Sequence, residues 1–288
     1  MPRLNDAVHI LATVSAGENP GAYSWAQYFL GDVYEDAGNL REAMTAYNNV
    51  HRHDSPVAYA SAQNSIGILY KNMGRLDDAV AAFSRVVRED NPESYAWAQN
   101  NLGTVYQTMR RLDDALQSWG GVLREVDAET YAQAQFNIGS TCKNQGRINE
   151  AIAAWGRVRH DDNPSVYARA QLSLGLTYAP LGQLDEAIAV WRNVRREDNP
   201  EAYAAAQNNL GSAYEDKELF EDSFAARSRV LRSDSPYIYA VAQLNMGIAY
   251  YNNGSLDEAV TAWNRVLEED DPQSYAEAQR NLALVNKH

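Results

Sequence analysis

The sequence has few of the residues that mark several large protein classes. Among 288 residues there is one cysteine, Cys142, so no internal disulfide can form, which favours a reducing compartment. Lysine and arginine total 25 against 38 aspartates and glutamates, a net charge of −13, and such a surface repels nucleic acids and anionic membranes. No run approaches the ~18 apolar residues of a membrane span, and residues 1–18 lack the order of a signal peptide. We therefore expect a soluble cytoplasmic protein that binds neither nucleic acid nor membrane.

Signatures of catalysis are also missing. The sequence contains no Gly-x-x-x-x-Gly-Lys phosphate loop, no Gly-x-Ser-x-Gly elbow and no His-Glu-x-x-His pair. His51, His53 and Asp54 have the chemistry of a small metal site, but their place at the end of a helix favours a solvated turn. We therefore expect no enzyme activity, no cofactor and no metal.

An internal repeat is the dominant feature that is present. A Tyr-Ala-x-Ala-Gln motif, or a close variant, recurs every 36 residues, and a glycine follows each tyrosine by eight residues in all copies but the last. The tyrosines are Tyr23, Tyr59, Tyr95, Tyr131, Tyr167, Tyr203, Tyr239 and Tyr275. A constant period of this length is typical of stacked structural repeats rather than of two globular domains.

Each repeat contains the signals of two helices. Asn, Ser or Asp followed by Pro, as in Asn91-Pro92, is a helix start, and a glycine such as Gly74 about eighteen residues later is a helix end. A second helix then carries leucine, alanine, a large aromatic and valine on one face, as in Leu112, Ala115, Trp119 and Val122. We name the two the leading and the trailing helix of a repeat.

These residues resemble the tetratricopeptide repeat family. Leu102-Gly103-x-x-Tyr106, Ala115 and Trp119 reproduce the family's spacing, and the resemblance covers nearly the whole chain. Sel1-like repeats are the second choice, because they generally lengthen the loop inside the helix pair whereas the two extra residues here lie in the link between pairs. The resemblance implies an all-α fold, an α-solenoid of antiparallel helix pairs wound into a right-handed superhelix.

The repeat predicts one solenoid over residues 1–288. Residues 1–18 are interpreted as a lone trailing helix with Leu4, Ala7, Leu11 and Val14 at the repeat's positions, 19–270 as seven pairs, and 271–288 as a lone leading helix. Apolar residues at both ends suggest head-to-tail association of copies. The alternatives are frayed or tolerated ends, or a segment cut from a longer chain.

In the family resembled here, leading helices line a concave groove that binds peptides. Five of the eight residues just before the Leu-Gly position are asparagine, and a ladder of amides can donate to and accept from an extended peptide backbone. The alternative is that these asparagines bond mainly between helices. The candidate groove residues are Trp25, Tyr28, Asn64, Trp97, Asn100, Asn101, Phe136, Asn137, Arg169, Asn209 and Asn245. Leu244, Ile248 and Tyr251 are expected to make the end of the groove apolar.

One repeat departs from the pattern. Glu218 replaces the turn glycine, Ser223 the alanine and Arg227 the aromatic. Because a buried arginine is costly unless paired, we expect either a shifted helix with Phe224 filling the gap or a weak joint at this repeat.

The functional expectation is a non-catalytic scaffold or adaptor that holds a protein or extended peptide in its groove. The alternative is a sensor or regulatory subunit for an effector enzyme on another chain.

Overall fold

The computed structural model describes residues 2–285, except the side chains of residues 2–5 and Ala7. This part of the chain forms sixteen α-helices and no strand, as expected for an α-solenoid. The chain divides into two compact units, residues 1–145 and 146–288, and we describe each by itself. Continuity of one solenoid through both units stays a prediction.

Long leading helices alternate with short trailing helices in both units. In unit 1 the helices are α1 (Pro2–Ala12), α2 (Pro20–Asp36), α3 (Leu40–Asn48), α4 (Pro56–Asn72), α5 (Leu76–Phe83), α6 (Pro92–Thr108), α7 (Leu112–Gly120) and α8 (Ala128–Asn144). In unit 2 they are α9 (Ile148–Gly156), α10 (Pro164–Tyr178), α11 (Leu184–Arg192), α12 (Pro200–Asp216), α13 (Phe220–Ser228), α14 (Pro236–Asn252), α15 (Leu256–Trp263) and α16 (Pro272–Val285). A 3₁₀ turn, Ala179–Leu181, extends α10.

The predicted start signals cap the leading helices. Asn91, for example, is extended, and its side chain accepts a hydrogen bond of 2.7 Å from the backbone N–H of Ser94. The same bond forms at every leading helix from α2 to α16. These caps fix the register of each helix in its repeat, because they satisfy N–H groups that the helix leaves unpaired.

Within each unit, a glycine of the leading helix packs against the large residue of the trailing helix. A Cβ placed on Gly175 of α10 would lie 2.2 Å from the indole nitrogen of Trp191, and one on Gly247 of α14 would lie 2.3 Å from that of Trp263. Only glycine therefore lets the two helices approach this closely. The large residue is buried, and each leading helix also packs on the next leading helix of its unit.

The links between repeats carry ion pairs. Arg52 pairs with Asp90 at 2.8 Å in unit 1, and Arg196 pairs with Asp234 at 3.1 Å in unit 2. His160 occupies the arginine's position in one link and lies 3.0 Å from Asp198. Each partner is 38 residues away in sequence, so the pairs join consecutive repeats.

The irregular repeat keeps its helices, and Phe224 does not fill the gap as expected. Arg227 itself occupies the aromatic position with 1% of its surface exposed, and its stem and guanidinium lie against Gly211, as the aromatics do elsewhere. Phe224 instead stacks on Tyr250, with ring centroids 4.0 Å apart. The first alternative, in which Phe224 fills the gap, was therefore wrong, because Arg227 fills the position itself; the weak joint stays a prediction.

The two end helices form as far as they are described. α1 packs on α2 and α16 packs on α14 and α15, although the side chains of Leu4 and Ala7 and the last residues, 286–288, lie outside the described part. Ile10 is 65% exposed and Leu284 is 59% exposed. No helix within residues 2–285 is both long enough and apolar enough to cross a membrane.

Candidate functional site

Leading helices of unit 1 line a hollow of about 500 Å³. Trp25 of α2, Ser61 of α4 and Trp97 of α6 take the same position in consecutive repeats, and all three line it together with Val57. Because the middle residue is a small serine, a gap is left between the two tryptophans. This hollow brings Trp25 and Trp97, two of the candidate groove residues, to one site.

Trp97 is the most exposed aromatic of this hollow, with 55% of its surface open. Its indole N–H donates to the Asp127 carboxylate at 2.7 Å, and the same carboxylate caps α8 through Thr130. Burial raises the pKa of Asp127, but hydrogen bonds from Thr130 and Trp97 outweigh it and hold the pKa below its usual value. The indole is therefore tied to a charged acceptor and presents its ring in one orientation.

Aromatic side chains continue along α2. Trp25 stacks on Phe29 with centroids 5.6 Å apart and meets Tyr28 edge-on at 5.8 Å. Phe29 is 47% exposed, whereas Trp25 and Tyr28 are half-buried. Mutual packing fixes the rings of this cluster while leaving apolar surface in contact with water.

Two carboxylates lie beside this cluster and share one hydroxyl donor. The Tyr47 hydroxyl of α3 is 2.7 Å from Asp32 and 2.9 Å from Glu35, so it donates to only one of them at a time. Burial raises the pKa of Asp32, although hydrogen bonds from Tyr47 and Tyr28 act in the opposite direction. The first repeat is thus acidic as well as aromatic.

Asn64 is not open to a ligand. Its side chain is buried, and its N–H donates to the backbone carbonyl of Ser94 at 2.9 Å. This bond joins α4 to the start of α6. Asn64 therefore bonds between helices and does not face a ligand.

The other candidate asparagines of unit 1, Asn100, Asn101 and Asn137, are half-buried and partly engaged. Asn101 accepts from the Lys71 ammonium at 3.1 Å and donates to the Trp97 carbonyl at 3.1 Å. Asn137 accepts from the Gln133 amide at 2.8 Å. The buried side-chain oxygen of Asn100 accepts no hydrogen bond from any described residue. Asn101 keeps one amide hydrogen and Asn137 keeps both, since each amide carries two donor hydrogens.

The remaining candidates divide between the units. Phe136 of unit 1 and Arg169, Asn209 and Asn245 of unit 2 are all half-buried. Burial lowers the pKa of Arg169. Asn245 donates a long hydrogen bond of 3.4 Å to Asn208 of the preceding leading helix.

The expected apolar end of the groove is only partly present. Leu244 is buried, and its carbonyl accepts the Trp263 indole N–H at 3.3 Å, so the expectation that it faces a ligand was wrong. Ile248 lines a second hollow, in unit 2, and Tyr251 is exposed.

Several residues of the first hollow were not among the candidates. Val57 lies one turn before the family's groove positions, and Glu93 and Asp127 belong to helix starts. Asp127 caps a helix and also accepts from the Trp97 indole, and the sequence around Asp127 does not indicate this second role. Only the 30-residue spacing of Trp97 and Asp127, close to one repeat, would have indicated it.

Metal chemistry finds no support in the described residues. His51 and His53 stack at 5.6 Å, and His53 contacts Asp54 at 3.3 Å. Residues 2–285 contain no group of three or more histidine, cysteine or acidic side chains that could hold a metal ion. Cys142 is buried, in agreement with its interpretation as a core substitution.

Comparisons with known proteins follow the repeat pattern. A family model described as tetratricopeptide repeat matches residues 64–120, 143–191, 172–238 and 244–286, and a second model of that description matches 26–50. No curated protein matches the sequence.

Solved structures show similar folds at low identity. The C-terminal part of a TPR repeat-containing protein from Cytophaga hutchinsonii is 15% identical with a TM-score of 0.62, covering 87% of this chain and 98% of that one. Pseudomonas aeruginosa PilF is 18% identical with a TM-score of 0.54, covering 78% and 96%. MamA is 26% identical with a TM-score of 0.46, covering 58% and 93%. The first two show the fold and nothing beyond it.

Proposed function

Because the chain belongs to the tetratricopeptide repeat family, we propose that it is a non-catalytic scaffold that binds a protein segment in extended conformation along its leading helices. The observation that carries the proposal is the hollow of unit 1, where Trp25 and Trp97 flank a gap. Large exposed aromatic surface that is held in one orientation is typical of binding sites.

The energetics favour Trp97 as the main anchor. Covering the exposed half of an indole contributes about 3 kcal/mol of hydrophobic free energy, at about 25 cal/mol per Å². Since the bond to Asp127 already orders this side chain, little rotamer entropy is left to lose when a ligand covers it.

Amides supply a second, sequence-independent component. Asn101 and Asn137 of unit 1 and Asn209 and Asn245 of unit 2 follow one another at repeat spacing within their units and are half-buried. Their spare donors and acceptors suit a peptide backbone. Asn64 is not part of this ladder, since it lies one position earlier in its repeat, where Ser65 takes the ladder position, and its amide is buried in the link to α6.

Selection of peptides tests the proposal directly. We expect a random displayed peptide library to yield binders whose affinity falls at least ten-fold in Trp97→Ala, the fold-change that corresponds to about 1.4 kcal/mol. Leu40→Ala is the control, since Leu40 is an exposed apolar residue of the trailing helix α3. Binders that ignore Trp97→Ala but lose affinity in Leu40→Ala would place the site on the trailing helices.

The ladder has its own test with the same peptides. The double variant Asn101→Ala/Asn137→Ala should weaken every selected peptide to a similar degree, because backbone hydrogen bonds do not depend on peptide sequence. Undiminished affinity eliminates the ladder and leaves the aromatic anchor in place.

End-to-end association is a second proposal, favoured by the exposure of Ile10 on α1 and Leu284 on α16. Light scattering over a concentration series should show a mass that rises with concentration, and Ile10→Lys should abolish the rise. A strictly monomeric mass at high concentration removes this proposal.

A further inference from the structure

Unit 2 contains a hollow of about 300 Å³ that lies between α12, α13 and α14. Its polar lining includes Ser212, Glu215, Arg227, Asn245 and Asn252, and its apolar lining includes Phe220 and Ile248. It adjoins the irregular repeat, where Arg227 replaces the aromatic of the trailing helix.

Arg227 reaches through the helix pair to the side of the leading helix. Its guanidinium pairs with both oxygens of Glu215, through Nη1 to Oε1 and through Nη2 to Oε2 at 3.0 Å, and Nη2 also donates to the Ser212 hydroxyl at 3.1 Å. The Ser223 hydroxyl lies 3.1 Å from the same Oε1. Two-point pairing fixes the position of the carboxylate.

Charge is distributed unevenly across this ion pair. The Arg227 side chain is 1% exposed and the Glu215 side chain is 29% exposed. A ligand in the hollow therefore meets the carboxylate before it meets the guanidinium, and the nearer charge dominates because the Coulomb energy falls with distance. The net charge of −13 for the chain acts in the same direction.

Hydrogen-bonding capacity agrees with this polarity. Glu215 Oε2 accepts only from Arg227 among the described residues, so it retains a lone pair for a further donor. The Asn245 amide donates one of its two hydrogens to Asn208, and its carbonyl oxygen is able to accept from a further donor. Ile248 and Phe220 provide an apolar wall of the kind that packs against an aliphatic stem.

We propose that this hollow binds a cationic side chain, lysine or arginine, of the bound protein segment. The ammonium or guanidinium donates to Glu215 Oε2 and to the Asn245 carbonyl, and the aliphatic stem lies against Ile248 and Phe220. Arg227 also lines the hollow, but with only 1% of its side chain exposed it holds the Glu215 carboxylate in place and contributes no hydrogen bond to the ligand. The inference rests on the proposed function in one respect, that the cation belongs to a peptide.

Single-residue probes test the hollow without any peptide sequence. Full-length protein labelled with ¹⁵N is titrated with N-acetyl-lysine amide, N-acetyl-arginine amide, N-acetyl-norleucine amide and N-acetyl-glutamate amide. We expect saturable shifts of the Asn245 and Asn252 side-chain amides with the lysine or arginine probe and none with the norleucine or glutamate probe. Shifts with norleucine alone, shifts with glutamate, or no shift with either cation would overturn the proposal.

A variant that blocks the hollow tests the site without changing Glu215 or Arg227. Asn252 is the exposed last residue of α14, and Asn252→Lys places an ammonium at the mouth of the hollow. Asn72→Lys is the matched control, because Asn72 is the exposed last residue of α4 in unit 1 and the charge change is the same. Asn252→Lys should abolish the shift of the Asn245 side-chain amide, the reporter that both variants retain, and Asn72→Lys should preserve it. Equal behaviour of the two variants contradicts the site.

Glu215→Gln is a second variant, in which we expect the cation-dependent shifts to be lost. If this variant does not fold, Asn252→Lys still tests the site, because it leaves the ion pair intact. The outcome is separate from that of the proposed function. Peptide binding that depends on Trp97 can fail while the probes bind in unit 2, and the probes can fail while Trp97 remains essential.

Discussion

In unit 2, the position of the trailing helix that packs against the glycine of the leading helix, which we call the slot, holds Trp191, Arg227 and Trp263 in three consecutive repeats. The arginine uses this slot differently from the two tryptophans. Trp191 and Trp263 fill the space beside a glycine and donate their indole N–H to carbonyls of the leading helix, each at 3.3 Å. Arg227 fills the same space with its stem but sends its charge to Glu215. The slot thus requires a large side chain. The polar group at the end of that side chain determines which group of the leading helix it binds, a backbone carbonyl for tryptophan or the Glu215 carboxylate for arginine.

Unit 1 contains a milder form of the same arrangement. Tyr47 fills the slot beside Gly31, and its hydroxyl reaches Asp32 and Glu35. Glu35 and Glu215 hold the same position in their repeats, whereas that position is Lys71 beside Phe83 and Gln107 beside Trp119. In both repeats with glutamate at this position, the slot residue donates to it, Tyr47 to Glu35 and Arg227 to Glu215.

The largest effect should follow from breaking the ion pair. Glu215→Ala leaves the buried guanidinium without its anion and should lower the free energy of unfolding by about 3 kcal/mol. The double variant Glu215→Ala/Arg227→Trp should recover the melting temperature, because it restores the residue of the neighbouring repeats. Thermal unfolding checks both, and an unchanged melting temperature in Glu215→Ala contradicts the pairing.

Filling the slot from the other side should have a somewhat smaller effect. Gly175→Ala drives a Cβ into the rigid Trp191 indole and should cost about 2 to 3 kcal/mol, whereas Gly211→Ala meets the flexible Arg227 side chain at 2.7 Å and should cost less. Gly156→Ala is the control, since a Cβ there has no atom within 4 Å. Urea unfolding should show the largest loss of unfolding free energy for Gly175→Ala, a smaller loss for Gly211→Ala and the smallest for Gly156→Ala. Equal losses at Gly175 and Gly211 would contradict the claim that the rigidity of the slot residue sets the cost.

The turn of the arginine repeat offers a small gain. Glu218 takes the left-handed conformation, with φ of 59°, as Arg110 does in unit 1 with φ of 62°, whereas the neighbouring turns of unit 2 have Gly182 and Gly254. Glu218→Gly should raise the free energy of unfolding by about 1 kcal/mol, since a left-handed non-glycine residue costs about that much. Gly182→Ala should lose a similar amount at the neighbouring turn, where φ is 77°. Loss of stability in Glu218→Gly would mean that the side chain contributes more than the strain.

The smallest difference concerns local opening. Amide exchange should be faster in residues 221–231 than in 185–195, because α13 has a polar pair where α11 has a buried indole. Equal protection of the two segments would contradict the prediction of a weak joint at this repeat.

Sequence reasoning was most successful where a residue acts on its own backbone. The helix pairs follow from caps such as Asn91 and turns such as Gly74, because these side chains and conformations satisfy backbone groups of the same helix. It was least successful where a side chain needs a partner one repeat away. Asn64 and Asn101 hold adjacent positions of their repeats and were both groove candidates, yet one is buried against Ser94 and the other meets Lys71.

Arg227 illustrates the other limit. The sequence marked it as irregular but could not show that its length allows the guanidinium to meet Glu215 while the stem fills the slot. Leu244 was placed in the groove from its position alone, whereas its packing near Trp263 buries it. In both cases the outcome depends on distances between helices.

Hydrogen exchange of the full chain with and without a selected peptide tests the assignment of the working surface most directly. The account predicts slower exchange in the leading helices α2, α4 and α6, with no change in the trailing helices α3, α5 and α7. Protection confined to the trailing helices would contradict it.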